Sequence, residues 1–200
     1  VEIRLGAWIG AATLSLAACG GGEVSSDEEA ELAYVGLDQA VSRAMDLGLL
    51  AFSLASSANL DPQTGEGDVS GTMTVGGQAD QGNSDNKGLR LEVTLVDYAD
   101  LTDLDPDDDD DDPLEVTYDT ETPAAVDLQL KGIPDGTVSG TFVGTFLLVG
   151  DLEGDVTLNL ALDGELEPDG EGTKRAPAST SITGTATTDD GGEYEVDLVQ

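Results

Sequence analysis

The chain predicts a mainly β domain with one N-terminal α-helix, its curved antiparallel meander sheet (an open or partial barrel) packed around that helix. Three observations carry the prediction. Residues 28–58 contain no proline and repeat apolar side chains at roughly helical spacing: Leu32, Val35, Ala40, Ala44, Leu47, Ala51 and Leu54. From Val69 onward the apolar period drops to two, the period of a half-buried strand. The lengths also agree, since the longest alternating run, Thr137–Val149, spans about 43 Å at ~3.3 Å per residue. That is close to a ~30-residue helix rising 1.5 Å per residue.

The helix opens on a capping box, Ser26-x-x-Glu29, in which each side chain serves the other residue's backbone N–H. Its second half, LGLLAFSLASSA, is apolar nearly all round, and such a helix is expected to be buried on every side. Asn59 and Asp61-Pro62 are expected to end it.

Eight alternating runs follow. They are Val69–Val75, Leu89–Leu95, Leu114–Tyr118, Val126–Leu130, Thr137–Val149, a run from Val156 to Leu162 with room to reach Leu166, Ile182–Ala186 and Tyr194–Leu198. Asp135-Gly136, Asp163-Gly164, Asp169-Gly170 and Asp190-Gly191 supply turn chemistry near them. Gly140 and Gly144 allow the longest strand to bend. Strands polar on alternate residues form a sheet with one wet face.

Composition removes many activities. The 200 residues hold 42 acidic and 7 basic side chains, no histidine, one cysteine and one tryptophan, for a net charge of −35. Without histidine there is no Ser-His-Asp triad and no Cys-His pair within the chain. A charge of this sign and size is repelled by phosphate backbones, so no nucleic-acid partner is expected. Leu, Ile, Val and Phe make up about a quarter of the chain, above the floor of about 20 % needed for a core. There is no G-x-S-x-G elbow and no P-loop. Carboxylates are so numerous that pairs at glycosidase spacing arise by chance. The expectation is a protein that is not an enzyme and carries no cofactor.

The amino-terminal segment reads as an address. Arg4 precedes an uncharged stretch from Leu5 to Ala18, the length of a secretory apolar region and too short to span a bilayer. Small residues lead into the sole cysteine through Leu16-Ala17-Ala18-Cys19, a run that resembles the lipobox of bacterial lipoproteins. The resemblance implies diacylglycerol transfer to the Cys19 thiol, cleavage before Cys19 and further acylation of the new amino terminus. Two or more acyl chains make a stable membrane anchor. Gly20 stands where retention at the inner membrane is associated with aspartate, so the resemblance implies lipid anchoring at the outer membrane, facing the periplasm or the surface. The chain then divides into a signal peptide (1–18), a lipidated cysteine with a flexible tether (19–28), and a helix-plus-sheet domain (29–200).

Two features invite a ligand. Residues 97–112 hold ten aspartates, six of them consecutive at Asp107–Asp112. Aligned on a calcium-binding loop, Asp103, Asp105 and Asp107 fall on ligand positions, but Asp108 replaces the turn glycine and Leu114 the bidentate glutamate. A solvated loop with at most weak calcium affinity is expected, because packed like charges repel and extend. Phe52, Phe142, Phe146 and Leu148 would line an apolar cavity if the helix left the curved sheet unfilled. The expected role is therefore structural or interactive at the cell envelope. The alternative is a carrier or sensor of an apolar ligand such as a lipid.

Overall fold

The computed structural model describes residues 22–100 and 115–200. Along the chain run β1 (Gly22–Glu23), α1 (Asp27–Leu54), β2 (Asn59–Glu66), β3 (Ser70–Ala79), β4 (Lys87–Ala99), β5 (Val116–Asp119), β6 (Ala124–Lys131), β7 (Thr137–Gly150), β8 (Leu152–Asp169), β9 (Gly172–Arg175), β10 (Ser181–Thr188) and β11 (Glu193–Val199). The sheet follows the order β11-β10-β8-β7-β5-β4-β3-β2, with β6 beside β4 and β7, β9 beside β8, and β1 beside β8. The β1–β8 pair is parallel; the meander itself is antiparallel throughout. This is the mainly β, single-helix meander that the change of period predicts.

The sheet does not close on itself, and α1 occupies the opening. On one side Gly65 of the edge strand β2 sits so close to the helix that a Cβ there would lie 3.3 Å from Arg43 and Leu47. On the other, the Tyr34 ring meets Tyr194 of the opposite edge strand, β11, with centroids 5.8 Å apart. The inward residues of every long strand alternate with outward polar ones, as in Ala124–Lys131, where buried and exposed positions take strict turns. They form one core with Tyr34, Leu37, Val41, Met45 and Leu49 of the helix.

Four details depart from the sequence expectation. Asn59 and Asp61-Pro62 do not trail off from the helix; α1 ends at Leu54 and they begin β2. Pro62 is tolerated because the pairing register jumps from Leu60↔Gly77 to Gln63↔Val75, leaving it in a bulge on an edge strand where no ladder hydrogen bond is lost. The third and fourth predicted strands, β5 and β6, are not neighbours. Both lie between β4 and β7, two halves of one interrupted lane. Asp163-Gly164 makes no turn: β8 runs straight through it, with Gly164 opposite Val138, and turns only at Asp169-Gly170. Finally, the second half of α1 is not buried on every side, for Leu50 is 45 % and Leu54 67 % exposed.

Candidate functional site

The sequence places its strongest functional signal just ahead of the described residues, so the geometry that receives that segment comes first. Gly22 and Glu23 pair with Leu152 and Glu153 of β8. Val24 follows, buried to 1 % exposure, and its N–H donates to the Glu153 carbonyl at 3.1 Å. Gly154 makes room for it, since a Cβ there would stand 3.0 Å from a Val24 methyl. The segment expected to be a flexible tether through residue 28 is therefore docked from Gly22 onward. The signal was present in the sequence: Val24 is the one apolar residue in GGGEVSSDE.

The capping box forms as expected. The Ser26 hydroxyl accepts from the Glu29 N–H at 3.2 Å, and a Glu29 carboxylate oxygen accepts from the Ser25 and Ser26 N–H groups at 2.8 and 3.0 Å. Hydrogen bonding, led by the Ser25 backbone, holds the Glu29 carboxyl below the usual range. Asp27 adds a second strap, accepting from the Glu193 N–H at 3.0 Å. The helix start is thus tied to β8 and to the β10–β11 turn at one end of the sheet.

Along α1, one polar face zips the helix to the strands flanking the gap. Asp38 accepts from the Tyr34 hydroxyl and from the Gln200 amide, and burial raises its carboxyl above the usual range. Ser42 donates to Gln200, and Arg175 of β9 grips Asp46 through Nε and Nη2 at 2.8 and 2.9 Å, a two-point fork. On the β2 side Arg43 bridges Asp68 at 3.0 Å and Asp100 at 3.3 Å while lying over the Tyr98 ring. Asp100 is buried and also takes the Tyr98 hydroxyl at 2.6 Å. Every buried side-chain oxygen and nitrogen among the described residues has a partner. These networks tie the helix to the strands on both sides of it.

The interruption between β5 and β6 produces an open cleft of about 260 Å³ on the outer face, lined in part by Glu121, Thr145, Leu147 and Asp155. Thr120 repairs the ladder there, its hydroxyl accepting from the Leu95 N–H at 3.0 Å and its N–H donating to the Leu95 carbonyl. Asp155 titrates high because burial and the neighbouring Asp189 both disfavour its charge. Among the described residues no group of three or more Asp, Glu, Cys or His side chains is placed to hold a metal ion.

The residues singled out from the sequence fall as follows. Cys19 and the candidate calcium ligands Asp103, Asp105 and Asp107 lie outside the described residues. Phe142, Phe146 and Leu148 point inward and are buried in the core, the two rings stacked with centroids 6.1 Å apart. Phe52 packs against that core half-buried and also borders a second cleft of about 180 Å³ at the mouth near Ala79–Gly82. The structure brings three of the four cavity candidates together, as packing partners.

Fold and site define, among the described residues, a curved antiparallel meander sheet packed around one helix, with Gly22–Glu23 paired as a short parallel strand. No protein-family model, no curated protein and no solved structure matches this chain.

Proposed function

We propose that this protein is a lipid-anchored, acidic lipoprotein of the bacterial cell envelope with a structural or interaction role and no catalytic activity. The observation that carries the reading is the run Leu16-Ala17-Ala18-Cys19 behind an uncharged stretch of secretory length, in a chain with no other thiol. Anchoring at the outer membrane follows from Gly20 at the sorting position. Phe142, Phe146 and Leu148 are buried in one core with the helix residues. That packing favours the solid body over a carrier of apolar ligands.

The test is expression of the full chain in a Gram-negative host with labelled palmitate, followed by intact-mass analysis of the membrane fraction. Acyl-modified Cys19 as the first residue is the expected product, and Cys19→Ser is expected to take up no label. An unprocessed, unlabelled chain in the soluble fraction overturns the reading. Native mass spectrometry of the same material reads the alternative, since a co-purifying lipid beyond the covalent anchor would favour a carrier.

A further inference from the structure

Resting on the anchor reading above, the geometry points to one fixed orientation: the domain stands end-on, and the rim built from Asp27, Glu115, Asp151, Glu153, Asp189 and Asp190 faces the lipid surface.

Three observations lead there. The first is direction. β1 runs parallel to the start of β8, Gly22 opposite Leu152 and Glu23 opposite Glu153. The first described residue, Gly22, therefore stands beside the first residue of β8, at one end of the sheet. Helix α1 runs from that end toward the other, where Phe52 borders Ala79–Gly82 and Lys87.

The second is length. Three residue steps separate Cys19 from Gly22, and an extended chain covers at most ~3.6 Å per residue, so the acylated sulfur is held within roughly 11 Å of the docked strand. A tether free through residue 28 would let the domain tumble. This one cannot, because Val24 is buried and bonded to Glu153.

The third is the continuity of the rim. The Glu115 N–H donates to Asp151 at 2.9 Å and the Asp151 N–H to the Glu115 carbonyl at 3.0 Å. On the other side of β1, a Cβ on Gly192 would strike the Ser26 carbonyl oxygen at 2.2 Å, and Asp27 takes the Glu193 N–H. Among the described residues, β1 thus lies in a connected line of turns that runs from Glu115 and Asp151 to Gly192 and Glu193.

Charge defines the kind of surface this rim fits. The six basic residues after Cys19 are Arg43, Lys87, Arg90, Lys131, Lys174 and Arg175, and none lies on the rim. Lys87 and Lys131 flank the opposite end, at the Lys87↔Leu130 and Lys131↔Thr137 pairs. The rim is repelled by anionic headgroups, so it fits an electroneutral lipid surface and is held there by the anchor rather than by charge.

The experiment uses the absence of tryptophan after Trp8. Single reporters are introduced as Asp190→Trp at the rim and Asp135→Trp in the turn at the far end. Each is studied in two forms: the natively processed protein reconstituted into vesicles, and residues 19–200, which contain every described element, coupled through Cys19 to a maleimide phospholipid. Vesicles are phosphatidylcholine with a small fraction of dansyl-labelled headgroups, and energy transfer from tryptophan is recorded. The rim reporter is expected to transfer at least several-fold more efficiently than the far reporter. A twenty-residue Gly-Ser insertion before Gly22 is expected to erase most of that difference while leaving the fold intact. Equal transfer from both reporters in the uninserted chain overturns the orientation, and so does a difference that survives the insertion. A natively expressed chain without acyl groups overturns the anchor reading and, with it, the orientation as a property of the native protein. The coupled form still reports whether the clamp orients the domain, so the two failures are told apart.

Discussion

Gly36 of the helix and Tyr118 of β5 meet so closely that a Cβ on the glycine would lie 2.1 Å from the phenolic oxygen. That hydroxyl is buried, donates to the Ala33 carbonyl at 3.1 Å, and titrates well above its ordinary value because burial disfavours its charge. Gly36 thus sets how deeply the helix sinks into the sheet. Gly36→Ala should gain about 1 kcal/mol of helix propensity and lose more to overpacking of a rigid ring and a displaced hydrogen bond. A net loss of about 1–2 kcal/mol is expected, lowering the Tm by roughly 2–8 °C. Tyr118→Phe combined with Gly36→Ala should recover part of that loss, which calorimetry of the double-mutant cycle would read. Gly48→Ala should be milder, because its obstacle is a Leu91 methyl that can rotate.

Asp100 joins β4 to the helix through Arg43 and the Tyr98 hydroxyl. Removing it leaves a buried phenol unpaired and Arg43 with Asp68 alone as its ion partner. Asp100→Ala should therefore cost about 2–4 kcal/mol in urea unfolding. Tyr98→Phe, which keeps the ring beneath Arg43, should cost about 1 kcal/mol. Equal effects of the two variants would contradict this division.

Acid should first stabilise and then destabilise the fold. Asp38 and Asp155 both have folded-state pKa values raised above the ordinary 3.8, by burial first and, for Asp155, by Asp189. The folded state therefore binds protons more tightly than the unfolded state, and stability rises as pH falls through the folded values toward 3.8. Glu29 works in the opposite sense. Its folded pKa is lowered from 4.5, so its contribution is present above 4.5 and is lost as pH falls through the folded value. The Tm should climb from pH 7 to a maximum on the acid side and then drop. Asp38→Asn should flatten the climb, and a profile that falls steadily from pH 7 would refute the assignment.

Salt should raise stability across a wide range. The net charge is −35, and self-repulsion on that scale outweighs exposed ion pairs such as Arg90–Asp80 and Lys174–Glu167. Moving from about 10 mM to 1 M salt shortens the screening length from about 30 Å to about 3 Å. The Tm should rise by several degrees, equally with sodium and potassium chloride. A fall would place ion pairing above repulsion.

Period and punctuation made most of the fold legible. The strands of the long meander announce themselves by alternation, and Ser26-x-x-Glu29 marks the helix start correctly. What escaped lay where local sequence and tertiary context disagree. Asp61-Pro62 reads as a breaker, yet a bulge on an edge strand accommodates it. β9 is four residues long and carries little alternation, and it exists because Ser53 of the helix accepts the Thr173 N–H while the rest of the strand pairs with the end of β8. The docking of Gly22–Val24 was not legible, since pairing of Gly22 with Leu152 joins residues too far apart for any local pattern to reveal.

Amino-acid order alone determined the acid excess, the lack of histidine, the change from helical to strand period and the single thiol behind an apolar stretch, because each is local or a matter of count. The tertiary structure alone decided that β5 and β6 share one lane, that Leu50 and Leu54 stay exposed, and that Gly22–Val24 is held against β8. Those outcomes depend on how strand twist, glycine-sized gaps and distant backbone partners fit together in space, and nearest-neighbour chemistry carries no record of that fit.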